Sequence, residues 1–277
     1  MSVPKEPMFF LTDFPKLRII KNEATYLKCF KPRANDNARV VAEASALYLV
    51  SEEAVGNILA FNQNSKVIVM IRNPIKMALS LHAQNLFYGD EDIQDFADAW
   101  KCQSARRSGT GIPKSCRDPL LVDYEKNCKL GALLKRLFDQ VPSQQRCVVV
   151  LDDLINSPAE VYESLLQWLE LPSDGRNVFP KVNERKAAKS VWLNRLLAKP
   201  PRPLSLVANV AKRTLNVRSV GIHSVVASLN SREAPPVVLT PEAHAMLMEA
   251  FSADIDLLGN LMSRDLSNWK NYQVTSA

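Results

Sequence analysis

The sequence predicts an α/β fold with a parallel sheet and a mainly helical C-terminal region. Two apolar runs, 66–71 (KVIVMI) and 146–151 (RCVVVL), are rich in β-branched residues. Such runs are typical of strands that are buried on both faces of a parallel sheet. Segments with helical spacing separate and follow the two runs, which is the element order of α/β proteins.

The first part of the chain is expected to be irregular and then helical. Prolines interrupt residues 1–30, and the apolar cluster 8–11 predicts that this segment packs onto the rest of the protein. Residues 39–42 are predicted as a short strand. Ser51 is the predicted cap of a helix that ends near Phe61.

Further helices are predicted from the start signals and the spacing of apolar residues. Asn73-Pro74 has the pattern of a cap followed by proline at the first helical position. A helix is predicted over 92–106, followed by a basic loop over 104–117 of the kind that forms lids. Residues 119–140 are predicted to be mostly helical, with a break at Gly131, and a final helix is predicted over 240–262. A capping box at 157–160 is predicted to open a helix whose core-facing residues are Val161, Leu165, Trp168 and Leu169.

Length and composition limit the possible classes of protein. With 277 residues and 47% hydrophobic content, we expect one domain, 1–277, with an α/β core in 1–180 and a helical part in 181–277. The net charge of +6 suits an anionic ligand, but it does not distinguish a nucleotide from a sulfated sugar, nucleic acid or a membrane surface.

Cysteine and histidine usage gives no sign of a metal site or a disulfide framework. The five cysteines include no CxxC pair, and the three histidines lack the spacing of metal ligands. The chain begins without the long apolar run of a signal peptide, and no run reaches the length of a membrane span. We expect a cytoplasmic protein without a bound metal, and the oligomeric state stays open.

The junction after the first strand is the best candidate for an anion site. Arg72 follows the strand and the predicted helix begins directly afterwards. Ligands of parallel α/β sheets bind at the carboxyl ends of strands, and a helix start favours an anion. Arg72 offers a planar fork that grips two phosphate oxygens, and Ser80 offers a hydroxyl about two turns later. The alternative is an arginine that closes a strand and a serine that faces solvent.

Several blocks along the chain, in order, resemble the sulfotransferases that use 3′-phosphoadenosine 5′-phosphosulfate, particularly bacterial ones related to carbohydrate sulfotransferases. Together these blocks span nearly the whole chain. They are Lys5–Phe10, Glu43-Ala44-Ser45 with Tyr48-Leu49, Ile71–Ser80, Asp152-Asp153-Leu154 with Pro158, Asp174-Gly175-Arg176, Phe179-Pro180 with Asn183, and Arg264-Asp265-Leu266 with Trp269. Ala46 departs from the proline that is common in the family at that position.

The resemblance implies a fold and a set of contacts to the sulfate donor. The fold would be a three-layer parallel sheet like that of P-loop nucleotide hydrolases, with helices on both faces. Arg72 and Ser80 match the positions that hold the 3′-phosphate of the donor. Lys186 and Lys189 lie where the family brings a basic loop across the nucleotide, although solvated surface charge is the alternative for both lysines.

The resemblance also implies residues that act on the acceptor, which is expected to be a carbohydrate or another small molecule. Glu6 matches the glutamate that acts as general base in the heparan-type branch of the family, where the acceptor hydroxyl must lose its proton as it attacks sulfur. The alternative is a solvated glutamate near a chain end. Glu43 would orient the acceptor or a neighbouring cation, or else form a structural salt bridge. Apart from the resemblance, the cations of the basic loop would meet an acidic acceptor, with a charged flexible loop as the alternative. These cations are Arg106, Arg107, Lys114 and Arg117.

One expected element of the family is missing from the sequence. No Pro-Lys-x-Gly-Thr-[Thr/Ser] loop, which in the family cradles the 5′-phosphosulfate, occurs among the eight glycines. The expectation is therefore an upstream true start or a degenerate copy that lacks the first strand and this loop. The alternatives to a sulfotransferase are a non-catalytic relic that binds nucleotide or a sulfated ligand, and a nucleic-acid-binding protein that uses the basic region 185–218, against which no recognition motif is present.

Overall fold

A computed structural model describes residues 1–30, 40–180, 186–188, 231–233 and 239–271. The α-helices within these ranges are α1 (Glu23–Lys28), α2 (Ala54–Phe61), α3 (Pro74–Tyr88), α4 (Phe96–Lys101), α5 (Gln103–Arg107), α6 (Tyr124–Cys128), α7 (Leu130–Gln140), α8 (Leu151–Asn156), α9 (Pro158–Trp168) and α10 (Pro241–Met262). Short 3₁₀ turns cover Ala46–Leu49, Pro119–Val122, Ser143–Gln145 and Ser267–Trp269. The strands are β1 (Val67–Ile71), β2 (Arg146–Val150), β3 (Lys186–Ala188) and β4 (Ser231–Glu233).

The two predicted strands pair with each other in a parallel sheet. Val67 of β1 lies opposite Arg146 of β2, and the register continues to Ile71 opposite Val150. β3 and β4 form a separate antiparallel pair. The structure therefore confirms a helix-rich α/β fold with a parallel sheet, whereas the three-layer arrangement stays a prediction.

Burial of β1 differs from the sequence prediction. Val69 and Ile71 are buried, but the side chains of Ile68 and Met70 are 41% and 57% exposed. Successive side chains of a strand point to opposite faces. One face of β1 is therefore covered and the other open in the part of the chain that the structure describes, so the prediction of burial on both faces was wrong.

The helices after β2 also differ from their predicted burial. None of the α9 side chains is fully buried. Val161, Leu165 and Trp168, which were predicted to face the core, are partly exposed, so this face is less covered than predicted. The capping box was wrong, because Ser157 makes no side-chain cap hydrogen bond. Ser157 also ends α8, where its backbone N–H donates to the carbonyl of Asp153 and is therefore not available to the side chain of Glu160.

Gly131 lies inside α7 instead of breaking a helix. A Cβ added there would come within 2.3 Å of the backbone oxygen of Asp254 in α10, so this close approach requires glycine. The buried Asp254 carboxylate accepts hydrogen bonds from the N–H groups of Gly131 (2.8 Å) and Ala132 (2.9 Å). It thereby caps the first turn of α7 from a distant part of the sequence.

The other predicted boundaries are partly confirmed. Residues 40–42 form no strand, and residue 39 lies outside the described residues. α5 extends to Arg107, into the segment predicted as a basic loop. The N-terminal segment packs as predicted, with Phe9, Phe10 and Leu11 buried. α10 begins where it was predicted, because the Thr240 hydroxyl accepts the N–H of Ala243.

The described residues fall into two compact units. The first comprises 1–30, 40–74, 126–179 and 247–271, and the second comprises 75–125, 180, 186–188, 231–233 and 239–246. Fully buried side chains of the first unit include Leu11, Ile71, Leu134 and Phe251, and those of the second include Ile75, Leu79 and Tyr124. The prediction of one domain, with a core in 1–180 and a helical part in 181–277, stays a prediction.

Candidate functional site

Arg72 occupies the predicted junction between a strand and a helix. It follows the last residue of β1 and stands two residues before the first residue of α3, and its side chain is partly exposed. Parallel strands present their carboxyl ends at one edge of the sheet, and the first turn of a helix leaves backbone N–H groups without intrahelical partners. The junction can therefore receive an anion at the guanidinium of Arg72.

The C-terminal segment 264–269 is hydrogen-bonded to residues that follow the carboxyl ends of both strands. After β1, the side-chain amide of Asn73 donates to the carbonyl of Trp269 at 3.0 Å. After β2, Asp152 accepts the indole N–H of Trp269 at 3.1 Å, and Asp153 binds both terminal nitrogens of Arg264. These contacts join three of the ordered sequence blocks, which sequence reasoning had treated as separate.

Glu6 is half-buried in the N-terminal segment of the first unit. Burial raises the pKa of its carboxyl above the ordinary value of 4.5, and the neighbouring charge of Lys5 offsets part of this effect. A carboxylate with a raised pKa is a stronger base, and a catalytic base works best with a pKa close to the working pH. The environment of Glu6 is thus compatible with proton abstraction.

Glu43 is bound by hydroxyl groups rather than by a cation among the residues described. Its carboxylate accepts hydrogen bonds from Tyr26 (2.8 Å), Ser45 (2.7 Å) and Tyr48 (3.1 Å to each oxygen). Burial, followed by the contacts with Glu43, raises the pKa of Tyr26, and burial also raises that of Tyr48, so both hydroxyls stay protonated as donors. Among the described residues, a hydroxyl cluster therefore binds this carboxylate instead of the salt bridge that the sequence allowed.

Arg106 is enclosed within the second unit. Its guanidinium is bidentate to Glu91 at 2.7 and 2.9 Å, and both side chains are almost fully buried, with 1% and 0% exposure. Tyr124 donates to the same carboxylate at 2.7 Å. Burial alone would raise the pKa of Glu91, but the hydrogen bonds from Arg106 and Tyr124 outweigh it and lower that pKa.

Arg107 is also bound to carboxylates, although it is partly exposed. It pairs with Glu125 and, at 3.5 Å, with Asp123. Because both arginines already have carboxylate partners, a role for Arg106 or Arg107 in acceptor binding stays a prediction that the geometry does not favour.

Three predicted donor-binding residues lie in the second unit. Ser80 is the seventh residue of α3 and is partly exposed. Lys186 begins β3, but its side chain lies outside the described residues. Lys189 lies outside the described residues altogether.

A contact between the blocks 5–10 and 43–45 was not predicted from the sequence. The N–H of Ala44 donates to the carbonyl of Lys5 at 3.1 Å, and the N–H of Met8 donates to the hydroxyl of Ser45 at 3.1 Å. The stretch 43–45 therefore lies against the segment that carries Glu6. Both blocks belong to the same family resemblance, which was the available sign that they act together. Their contact itself depends on tertiary structure.

The described ranges contain neither a metal-binding cluster nor a helix that could span a membrane. These residues contain no group of three or more histidine, cysteine, aspartate or glutamate side chains arranged to hold a metal ion. No helix among them combines the length and the apolar character needed to cross a bilayer.

Comparison with known proteins gives a likeness of fold. No family model matches the sequence, and no curated protein matches it significantly. Among solved structures, the chain is similar to a sulfotransferase from Alicyclobacillus acidocaldarius, with a TM-score of 0.62 and 19% sequence identity. The likeness covers 98% of this chain and 84% of that protein.

Proposed function

We propose that this protein is a sulfotransferase that moves a sulfuryl group from 3′-phosphoadenosine 5′-phosphosulfate to a hydroxyl or amine, with a carbohydrate as the acceptor class. The observation that carries the proposal is the likeness to a sulfotransferase over 98% of the chain. The ordered blocks of the sequence point to the same chemistry.

In this proposal Arg72 holds the 3′-phosphate of the donor. The position of Arg72 directly after β1 and before the 15-residue helix α3 supports this role, because a helix start and a forked cation both favour a phosphate group. Ser80 is proposed to add a hydroxyl to the same phosphate. Lys186 and Lys189 are proposed to contact the nucleotide.

Glu6 is the proposed general base. The acceptor oxygen forms a bond to sulfur, its proton passes to the Glu6 carboxylate, and the bond between sulfur and the phosphate oxygen breaks, leaving the electron pair on the phosphate. Glu6 must be deprotonated for this step. Since its pKa is raised above 4.5, the transfer rate should fall as the pH decreases through a value higher than 4.5.

The residues present fit one end of the donor. Arg72 provides a cation at a strand end, whereas the sequence contains no glycine-rich loop for the 5′-phosphosulfate. The proposal therefore assigns residues to the 3′-phosphate and to the acceptor proton, and none to the 5′ end of the donor.

Calorimetry with 3′-phosphoadenosine 5′-phosphate tests donor binding. We expect measurable heat of binding to the wild-type protein, and affinity about 10- to 100-fold weaker for Arg72→Ala, since a charge-assisted contact to phosphate is lost. Arg176→Ala is the control, because Arg176 is a half-exposed arginine paired with Asp174. Equal affinities of both variants and the wild type would rule out the anchor role of Arg72.

Transfer itself requires a separate assay. The protein is incubated with sulfur-labelled donor and a panel of oligosaccharides, and labelled sugar is measured. Glu6→Gln should reduce transfer by about 10²- to 10⁴-fold without weakening nucleotide binding. Nucleotide binding without transfer to any acceptor would favour the non-catalytic relic over the enzyme.

A further inference from the structure

A hydroxyl relay connects Glu43 to the backbone around Glu6. The Ser45 hydroxyl donates to Glu43 at 2.7 Å and accepts the N–H of Met8 at 3.1 Å. The Tyr48 hydroxyl donates to Glu43 at 3.1 Å and accepts the N–H of Phe10 at 3.2 Å. Because a hydroxyl has one proton, donation to the carboxylate leaves its lone pairs for the backbone N–H groups.

Glu6 is held from both sides by the same short stretch. On its N-terminal side, the carbonyl of Lys5 accepts the N–H of Ala44 at 3.1 Å. On its C-terminal side, Met8 is bound by Ser45. Pro7 lies between Glu6 and Met8, and its ring fixes one of the two backbone torsions of that link. Residues 43–45 thus bracket Glu6.

The backbone at Met8 adopts a conformation that requires support. Its φ is +53°, in the left-handed region that a non-glycine residue seldom occupies. Such a conformation persists where the surroundings over-determine it, and it is found preferentially at functional sites. The hydrogen bond from Met8 to Ser45 is one of the contacts that supply this support.

Tyr26 completes the cluster without taking part in the relay. Its hydroxyl donates to Glu43 at 2.8 Å, and its ring stacks on Phe9 with centroids 4.3 Å apart. No backbone N–H of residues 5–10 binds this hydroxyl among the contacts of the described residues. Tyr26 and Tyr48 therefore make similar hydrogen bonds to one carboxylate, yet among the described contacts only the Tyr48 hydroxyl also accepts a backbone N–H from the segment that carries Glu6.

From these contacts we infer that Glu43 is a positioning residue, which orients the Ser45 and Tyr48 hydroxyls and thereby fixes the segment 5–10 and the carboxylate of Glu6. The catalytic consequence rests on the proposed function, since it requires Glu6 to act as the base. Glu43 need not touch the acceptor in this role. Its negative charge keeps both hydroxyl protons directed toward itself, which a glutamine amide cannot do for two donors equally.

The test compares amide exchange and the titration of Glu6 in four variants of the full chain. Tyr48→Phe and Tyr26→Phe are a matched pair, because each removes one hydroxyl from the same carboxylate. Ser45→Ala removes the other relay without a change of charge, and Glu43→Gln removes the charge itself. Hydrogen exchange is followed at the amides of Met8 and Phe10, and the Glu6 carboxyl is titrated by NMR with labelled glutamate, with Glu6→Gln identifying its signal.

We expect faster exchange at Phe10 in Tyr48→Phe, at Met8 in Ser45→Ala and at both in Glu43→Gln. Tyr26→Phe should leave both amides protected. The titration midpoint of Glu6 should move down toward its ordinary value in Ser45→Ala and stay at the wild-type value in Tyr26→Phe. Equal effects of Tyr26→Phe and Tyr48→Phe, or an unchanged Glu6 midpoint in Ser45→Ala, would overturn the inference. If Glu43→Gln does not fold, the other three variants still decide whether the hydroxyls bound to Glu43 fix the segment that carries Glu6.

Once an acceptor is known, the rate of sulfuryl transfer provides a second test. Ser45→Ala should lower kcat about 10-fold, because general-base catalysis depends on the position of the base, while affinity for 3′-phosphoadenosine 5′-phosphate should not change. A wild-type protein that neither binds this nucleotide nor transfers sulfate would contradict the proposed function. The exchange and titration results would in that case still show whether Glu43 fixes Glu6.

Discussion

Two glutamates of this protein are each bound by tyrosine, but their surroundings differ. Glu91 is fully buried in the second unit and is neutralised by the buried guanidinium of Arg106. Glu43 is half-buried in the first unit, and its partners among the described residues are the hydroxyls of two tyrosines and a serine. One carboxylate belongs to an ion pair, and the other belongs to a hydroxyl cluster.

The difference indicates what each glutamate contributes. A buried ion pair is weak evidence for net stabilisation, yet removal of one partner leaves an uncompensated charge in the interior. A partly exposed carboxylate with hydroxyl donors loses less when a donor is removed, because water can replace it. We therefore expect Glu91 to affect mainly stability and Glu43 to affect mainly the position of the segment next to it.

The largest expected effect is that of Arg106→Ala, which leaves Glu91 buried without its cation. The free energy of unfolding should fall by about 3–5 kcal/mol. Arg107→Ala is the matched control, since Arg107 is the next residue and pairs with Glu125 and Asp123 while 43% of its side chain is exposed. Its cost should be below about 1 kcal/mol. Urea unfolding monitored by circular dichroism measures both, and similar losses would contradict the distinction.

Glu43→Gln should have a smaller effect on stability. The glutamine keeps one acceptor oxygen but cannot accept from all three hydroxyls, so we expect a loss of about 1–3 kcal/mol. The same urea titration applies. A loss as large as that of Arg106→Ala would show that Glu43 is also a buried structural charge, and the comparison between the two glutamates would fail.

One tyrosine donor of each carboxylate allows a finer comparison. Tyr124→Phe removes the 2.7 Å bond to the buried Glu91, and Tyr26→Phe removes the 2.8 Å bond to Glu43. We expect a loss of about 1–3 kcal/mol for Tyr124→Phe and about 1 kcal/mol for Tyr26→Phe. Thermal unfolding in parallel would measure the difference, and a larger loss for Tyr26→Phe would reverse the order.

The pH dependence of stability should also separate the ion pair from other buried carboxyls. The pKa of Glu91 is lowered in the fold, so its contribution is present above the ordinary value of 4.5 and is lost as the pH falls through the lower, folded pKa. Burial raises the pKa of Asp254, so the contribution of this group is present below its ordinary value of 3.8 and is lost as the pH rises through the folded pKa.

This pH dependence can be measured by comparing the unfolding free energies of the wild type and Arg106→Ala. Without the cation, burial raises the pKa of Glu91 above 4.5, whereas in the wild type the pKa stays lowered. Their difference in unfolding free energy should therefore shrink as the pH falls from above 4.5 toward the lowered pKa of the wild type, because a protonated Glu91 no longer needs the cation. Urea unfolding at several pH values between about pH 3 and pH 7 would follow this change. A constant difference over that range would indicate that the loss in Arg106→Ala comes from packing rather than from charge.

Local features of the sequence were sufficient to predict many elements. β1 and β2 were located from their β-branched runs, α3 from the proline at its first position, and α10 from Thr240 and Pro241. These signals succeed because strand, cap and proline preferences act over a few neighbouring residues. The placement of Arg72 at the end of β1 follows directly from them.

Predictions of burial and of partners were less successful. The open face of β1, the lack of buried residues in α9 and the enclosure of Arg106 all depend on which distant segments cover each surface. The basic character of residues 104–117 suggested a solvated or acceptor-binding loop. No local pattern indicates that Glu91, fifteen positions earlier, neutralises Arg106.

The sequence by itself determined the parallel strand pair, the helix that starts after Arg72, and the resemblance on which the proposed chemistry rests. Tertiary structure decided that Glu43 binds hydroxyls, that residues 43–45 bracket Glu6, and that Arg264 and Trp269 bind the aspartates after β2. The physical reason is the separation along the sequence between the residues that interact. A cap or a strand is fixed by adjacent residues, whereas the bond between Arg264 and Asp153 joins groups 111 positions apart and forms only when the chain is folded.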